Sequence, residues 1–169
     1  MYSLTLKYPK DTLRKVLKVR KKIEYNLGVK LAIDLKNEIL TIQTEENTYV
    51  LYEVKDIIDA IDVGFKFDIA MLLALDNFRK DAIDVKSISR NKKDLRRIMS
   101  RIIGKEGYAK KKIEDLCEVF LAIDDKKGMV YIIGEEENVD LAKEALRLLI
   151  NGKKHKTVYD FIIKHKPKR

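Results

Sequence analysis

Apolar positions along this chain switch between two periods, and the switches mark its elements. In the second half, Leu95, Ile98, Met99, Ile102 and Ile103 recur at i, i+3, i+4, i+7 and i+8, the stripe of a helix buried on one face. Asn91 stands ahead of them as a cap. The stripe stops at Gly104-Lys105-Glu106-Gly107 and resumes on a second helix with Ala109, Ile113, Leu116 and Cys117. Val119–Ile123 and Met129–Ile133 are short apolar runs on either side of Asp124–Gly128, a strand pair joined by a turn. Upstream, Ala82–Ile88 alternates weakly through Ile83, Val85 and Ile88 and is expected to be a strand. Glu136–Asn151 is a long helix closed by Gly152, a good C′ residue, and Thr157–His165 a final short one. The order is strand–helix–helix–strand–strand–helix.

The first half repeats the second. Over residues 21–34 against 111–124, nine of fourteen positions are identical without a gap, including Lys-Lys-Ile-Glu and Leu-Ala-Ile-Asp. The first copy is expected to have the same order. Its strands are Tyr2–Tyr8, Val29–Asp34 and Glu38–Gln43, its long helix is Asn47–Val63, and Phe67–Leu75 is an extra helix. The chain is therefore α+β: two modules, 1–80 and 81–169, each a three-stranded antiparallel sheet with helices on one face. The copies differ in one place. Fifteen steps separate Leu6 from Lys21, against twenty-three from Ile88 to Lys111, so the first copy lacks about eight residues and any glycine loop.

Composition narrows the function. Hydrophobic residues make up 46% of the 169 residues, enough for a real core. Apolar runs are too short for a membrane span, and the start lacks the pattern of a signal peptide. Cys117 is the sole cysteine, which implies a reducing, cytoplasmic setting and no disulfide, and its place on an apolar helix face implies a core residue. No cofactor or metal is expected: His155 and His165 stand apart from any ligand cluster. The net charge is +9, and residues 86–112 carry eleven basic residues against Asp94 and Glu106 alone. Such a patch implies a polyanion partner, although a solvated lysine-rich face explains charge alone equally well. The first copy is nearly neutral and offers a surface suited to a protein partner.

The chemistry centres on the glycine loop. A tight joint between helices needs backbone angles that glycine adopts cheaply, and bare backbone admits a phosphodiester. The helix that starts near Tyr108 turns its free N–H groups and positive dipole end toward that spot. Lys93, Arg97 and Arg101 at i, i+4 and i+8, with Lys105 and then Lys110, Lys111 and Lys112, form a rail for phosphates. Glu106 is expected to point away or to cap the next helix. Tyr108 stacks on a base or is a half-buried helix start. Ile102 and Ile103 are candidates for an apolar groove floor, with core packing claiming at least one. This conjunction fits the K-homology (KH) domain, whose GXXG loop clamps four nucleotides of single-stranded RNA. No Walker loop, histidine pair or paired-carboxylate motif is present, so no enzyme is expected.

Arg101-Ile102-Ile103-Gly104-Lys105-Glu106-Gly107 before a basic helix resembles the archaeal two-KH-domain proteins of the partner-of-Nob (Pno/Dim-type) family. Thr157-Val158-Tyr159 resembles that family's C-terminal segment, and 57–65 its linker helix. The resemblance implies two tandem type I KH modules in a small-subunit ribosome assembly factor. It would bind near the 3′ end of the precursor ribosomal RNA, beside the endonuclease that trims it, and associate with a translation initiation factor subunit. A monomer is expected. Tyr108 departs from the family's usual basic residue, and the first copy lacks the glycine loop it often keeps. A KH-fold protein adaptor with little RNA binding of its own, or a binder of single-stranded DNA, fits the same residues.

Overall fold

The computed structural model describes residues 1–168, and each half of the chain folds around its own three-stranded antiparallel sheet. The first unit, Met1–Ala74, runs β1 (Tyr2–Lys7), α1 (Lys10–Leu27), β2 (Lys30–Asp34), β3 (Ile39–Thr44) and α2 (Thr48–Asp62). It ends with α3 (Phe67–Ala70) and a 3-10 turn, Met71–Ala74. The strand order is β1-β3-β2. Buried Leu40 and Ile42 alternate with half-buried Thr41 and Gln43, so one face packs on the helices and the other is polar. Leu13, Val16 and Ile23 of α1 and Leu51, Val54 and Ile58 of α2 complete that core.

The second unit, Leu75–Arg169, runs β4 (Phe78–Asp84), α4 (Val85–Ile88), α5 (Lys92–Ile103), α6 (Tyr108–Cys117), β5 (Phe120–Asp124), β6 (Met129–Glu135), α7 (Glu136–Ile150) and α8 (His155–His165). Its strand order, β4-β6-β5, matches the first. Ile98, Met99, Ile102, Ile113 and Leu121 pack with Leu146, Leu149, Val158 and Ile162 in one core. Burying each large aliphatic side chain stabilises the fold by about 1.5–3 kcal/mol. The fold is α+β with two tandem KH modules, as the pattern implied.

The repeated residues do the same work in each copy. Ile23 and Ile113 are fully buried. Glu24 accepts a hydrogen bond from the Leu31 N–H at 2.9 Å, and Glu114 accepts from Leu121 at 2.9 Å, tying each helix to the strand that follows. Asp34 accepts from the Asn37 N–H at 3.1 Å and Asp124 from Lys127 at 3.0 Å, closing each strand turn. Left-handed backbone also recurs at the same two places: Gly28 (φ 65°) matches Glu118 (φ 57°), and Glu38 (φ 58°) matches Gly128 (φ 65°).

Three sequence expectations change. The first strand of the second unit is Phe78–Asp84 rather than 82–88, so this unit begins before residue 81. β4 pairs along its full length with β6, and the Asp84 side chain then accepts from the Ser87 N–H, turning Val85–Ile88 into helix. The strand offset grows accordingly. Leu6 lies opposite Leu40 and Ile83 opposite Val130; the β6 partner is ninety residues on, the β4 residue seventy-seven, so thirteen residues are missing from the first copy. Finally, the first copy does not repeat the two-helix order. One uninterrupted 18-residue helix, α1, stands where the second copy has α4, α5, the glycine loop and α6.

Glu38 is exposed and holds a conformation that costs a side-chain-bearing residue about 1–2 kcal/mol. Glu38→Gly should stabilise the protein by about 1 kcal/mol, seen as a higher urea midpoint at unchanged slope. An unchanged or lower midpoint would contradict the assigned backbone strain.

Candidate nucleic-acid interface

α5 starts at Asn91, whose side chain accepts from the Asp94 N–H at 2.8 Å, and ends on Gly104 at φ 76° and ψ 174°. A Cβ built on Gly104 would lie 2.6 Å from the Ala109 backbone N and 2.7 Å from its Cβ. Only glycine lets the two helices meet this closely. Lys105–Gly107 forms one 3-10 turn, closed by the Gly107 N–H donating to the Gly104 carbonyl at 3.2 Å. Glu106 (φ 54°) and Gly107 (φ 77°) are both left-handed. A Cβ at Gly107 would meet nothing within 4 Å, so its glycine is needed for backbone angle and leaves open space above the loop. α6 begins directly after Gly107 with no side-chain cap; the Tyr108 N–H donates to the Lys105 carbonyl, and the next N–H groups and the dipole end lie toward that space.

The loop borders a groove of about 760 Å³ lined by residues 104–109, Lys111, His155 and Tyr159. Tyr108, 62% exposed, stands at its rim. His155 and Tyr159 did not emerge from the sequence as site residues. They are a helical i, i+4 pair on α8, which Val158 and Ile162 anchor in the core. The His155 Nε2–H donates to the Arg101 carbonyl at 2.7 Å, locking α8 to the last turn of α5. The Tyr159 hydroxyl is pushed upward in pKa by burial and, secondarily, by nearby Tyr108, and Lys112 lies 6.0 Å from the Tyr159 ring centre.

The expected phosphate rail divides in the structure. Lys93 and Lys105 are exposed and have no ion pair among the described residues; the same holds for Arg96, which the i, i+4 reading passed over. Arg97 is engaged by Asp94 at 2.8 Å. Lys110 pairs with Glu114 at 3.4 Å and Lys111 with Asp115 at 3.2 Å, the latter pair largely exposed and readily exchanged. Arg101 is not part of the rail. Its guanidinium donates to the carbonyls of Leu149 and Lys153, capping the C-terminal end of α7. Ile102 is fully buried and belongs to the core, and Ile103 is half-buried but is not among the residues that line the groove. Glu106 is exposed and does not cap α6. The Cys117 thiol is buried and pushed up to about 12 by desolvation, an inert core group. Among the described residues no helix is long and apolar enough to cross a membrane, and no His, Cys, Asp and Glu cluster could hold a metal.

The pattern of the eukaryotic type KH-domain (KH-domain type I) matches residues 79–167, the part that carries this loop. A KH domain-containing protein of Methanocaldococcus jannaschii is 33% identical over 96% of this chain and 74% of its own length. The chain belongs to the Pno/Dim-type family of two-KH-domain proteins. The resemblance read from the glycine-loop residues therefore holds. The pre-rRNA-processing protein PNO1 of Coccidioides immitis is 30% identical over 79% of this Pno/Dim-type chain, which spans about half (54%) of that relative. A crystal structure of an a/eIF2alpha–aDim2p–rRNA complex from Pyrococcus horikoshii contains a chain that superposes with a TM-score of 0.81 at 26% identity, covering 96% of this chain and 93% of that one.

Two outcomes follow from this geometry. Arg101→Gln should lower stability by about 1.5–3 kcal/mol, the worth of charge-assisted hydrogen bonds, read from chemical denaturation; a neutral effect would return Arg101 to the rail. Asp94 is held down at about 2 by the Arg90 backbone N–H and then by the Arg97 guanidinium. A carboxylate lowered in the folded state contributes stability above its unfolded pKa of about 4 and loses it as pH falls toward 2. Stability should thus fall over that window, and Asp94→Asn should flatten the fall. An Asn variant with an unaltered acid limb would exclude Asp94 as its source.

Proposed function

We propose that this Pno/Dim-type chain is a single-stranded RNA-binding factor in small ribosomal subunit assembly. In this reading it catalyses no reaction itself and holds the 3′ region of small-subunit rRNA beside a processing endonuclease. The observation that carries the proposal is the open glycine loop at the uncapped start of α6, with nothing within 4 Å of the site a Gly107 side chain would take. The N–H groups left at the start of α6 after Tyr108 donates its own to the Lys105 carbonyl, together with the helix dipole, suit a phosphate oxygen, and Lys105 and Lys93 supply unpaired charge. Tyr108 offers an exposed ring at the rim on which a base stacks. Lys111 reaches a phosphate by giving up an exposed pair, and Arg97 and Lys110 by sharing theirs.

The groove supports a single-stranded ligand. Bases must leave their partners to enter it beside a clamped backbone, so the ligand is unpaired. Four nucleotides carry little information, and a protein neighbour bound at the same time raises effective concentration. A relative named for pre-rRNA processing, and a structural neighbour solved with rRNA and an initiation factor subunit, support this choice of RNA, and the latter supports an initiation factor subunit as a protein neighbour.

Gly107→Asp places a carboxylate where a phosphate would sit. RNA affinity should fall at least tenfold, about 1.4 kcal/mol, with the fold retained; a folded variant of unchanged affinity would sink the site. The target is tested separately by competition. Oligonucleotides copying the 3′ end of the small-subunit rRNA from the source organism should bind well above scrambled ones, and equal binding would remove the ribosomal assignment.

A further inference from the structure

The first copy has lost its glycine loop, and its near-neutral total charge conceals a separation of charge. Its acidic residues gather on α2 and before it: Glu45, Glu46, Asp56, Asp59 and Asp62. Three of these are engaged, Glu45 by the Met1 amino group, Asp59 by Tyr8 and Lys55, and Asp62 by Thr12. Its basic residues gather on α1. Lys10, Arg14, Lys18 and Lys21 lie at i, i+4, i+8 and i+11 and share the solvent face of that helix. At 100° per residue they fall within a strip roughly 80° wide, opposite buried Leu13, Val16 and Ile23. Lys15 and Lys22 flank the strip, and Tyr25, 89% exposed, closes it. Asp11 is the one carboxylate at its edge, an exposed partner of Arg14 at 3.1 Å.

We infer that this face of α1 is a second nucleic-acid contact, one that grips the phosphate backbone of double-stranded RNA without reading bases. Three observations choose that occupant. The strip spans about 17 Å on one unbroken helix with neighbouring cations about 6 Å apart, a rigid row that matches a regular row of phosphates. The centre of the strip carries no apolar side chain, and Leu17, 43% exposed, is a lone one at its edge, whereas a protein interface needs an apolar core. Without a glycine break there is no notch to admit an unstacked base, and duplex RNA is recognised by shape and phosphates. The internal repeat adds a lineage. Lys21 and Lys22 are the counterparts of Lys111 and Lys112, and Lys111 lines the glycine-loop groove of the second copy. The thirteen-residue deletion thus removed the base-admitting part of the site and left the charged part straight.

The contact is independent of the glycine loop, so the two are separable by experiment on the full chain. The probes are a fluorescent RNA duplex of about 16 base pairs and a six-nucleotide single strand, read by anisotropy at several salt concentrations. One variant carries Lys10→Gln, Arg14→Gln, Lys18→Gln and Lys21→Gln; glutamine keeps helix propensity, and circular dichroism checks the fold. A charge-matched control carries Lys7→Gln, Lys36→Gln, Lys66→Gln and Lys164→Gln, all at exposed positions off α1. The α1 variant should bind the duplex at least tenfold more weakly than the control, with a log–log salt slope shallower by about 3, and bind the single strand within twofold of the unaltered chain. Gly107→Asp should show the opposite pattern. Equal duplex binding by the α1 variant and the control would overturn the proposal. So would poly-glutamate competing as well as the duplex at equal charge, which would make α1 a dock for an acidic protein.

Discussion

Gly104 approaches Ala109 so closely that no side chain fits between them, and the rest of the candidate site depends on that contact. It brings the end of α5 against the start of α6 within a single 3-10 turn. The turn leaves the first N–H groups of α6 uncapped and forces left-handed backbone at Glu106 and Gly107. Both consequences suit an anion. Unsatisfied donors wait for an acceptor, and the strained loop is held by well-packed helices on either side, with Ile102 and Ile113 fully buried.

Around that joint, charge has been sorted into structural and available groups. Arg101 and His155 both bond to backbone carbonyls, one closing α7 and the other fastening α8 to α5. They hold the groove in shape and are spent in doing so. Lys93, Arg96 and Lys105 carry no ion pair among the described residues and remain free to meet a ligand. A basic sequence run therefore overstates the basic surface. The same sorting holds in the first unit, where a nearly neutral total hides a cationic face on α1 and an acidic end on α2.

The two copies show how one sequence module tolerates loss of its ligand loop. Among the identical residues, the glutamate of Lys-Lys-Ile-Glu fastens helix to strand and the aspartate of Leu-Ala-Ile-Asp closes the strand turn in both copies. In the first copy a single straight helix with Leu13 and Val16 inward covers the sheet instead. The exchange of glycine and glutamate at the paired left-handed positions, 28 with 118 and 38 with 128, has a steric cause at Gly128. A Cβ there would press on Lys86 and Leu95, which belong to α4 and α5, the elements that the first copy lacks.

Period and repeat determined much of this protein before any coordinate. The apolar stripes located both helices of the second copy, the internal identity gave two modules, and the glycine pair between amphipathic helices marked the loop. These are local properties: a helix face or a tight turn is written within a few residues, and its physics does not need the rest of the chain. Tertiary structure decided what depends on partners distant in sequence. β4 ends at Asp84 because β6 supplies seven pairing residues and no more. Arg101 is an anchor because the end of α7, about fifty residues on, presents carbonyls to it. Tyr159 joins the groove because α8 folds back onto the core through Val158 and Ile162. None of these distances is encoded in spacing along the chain, since each is set by which buried faces find one another.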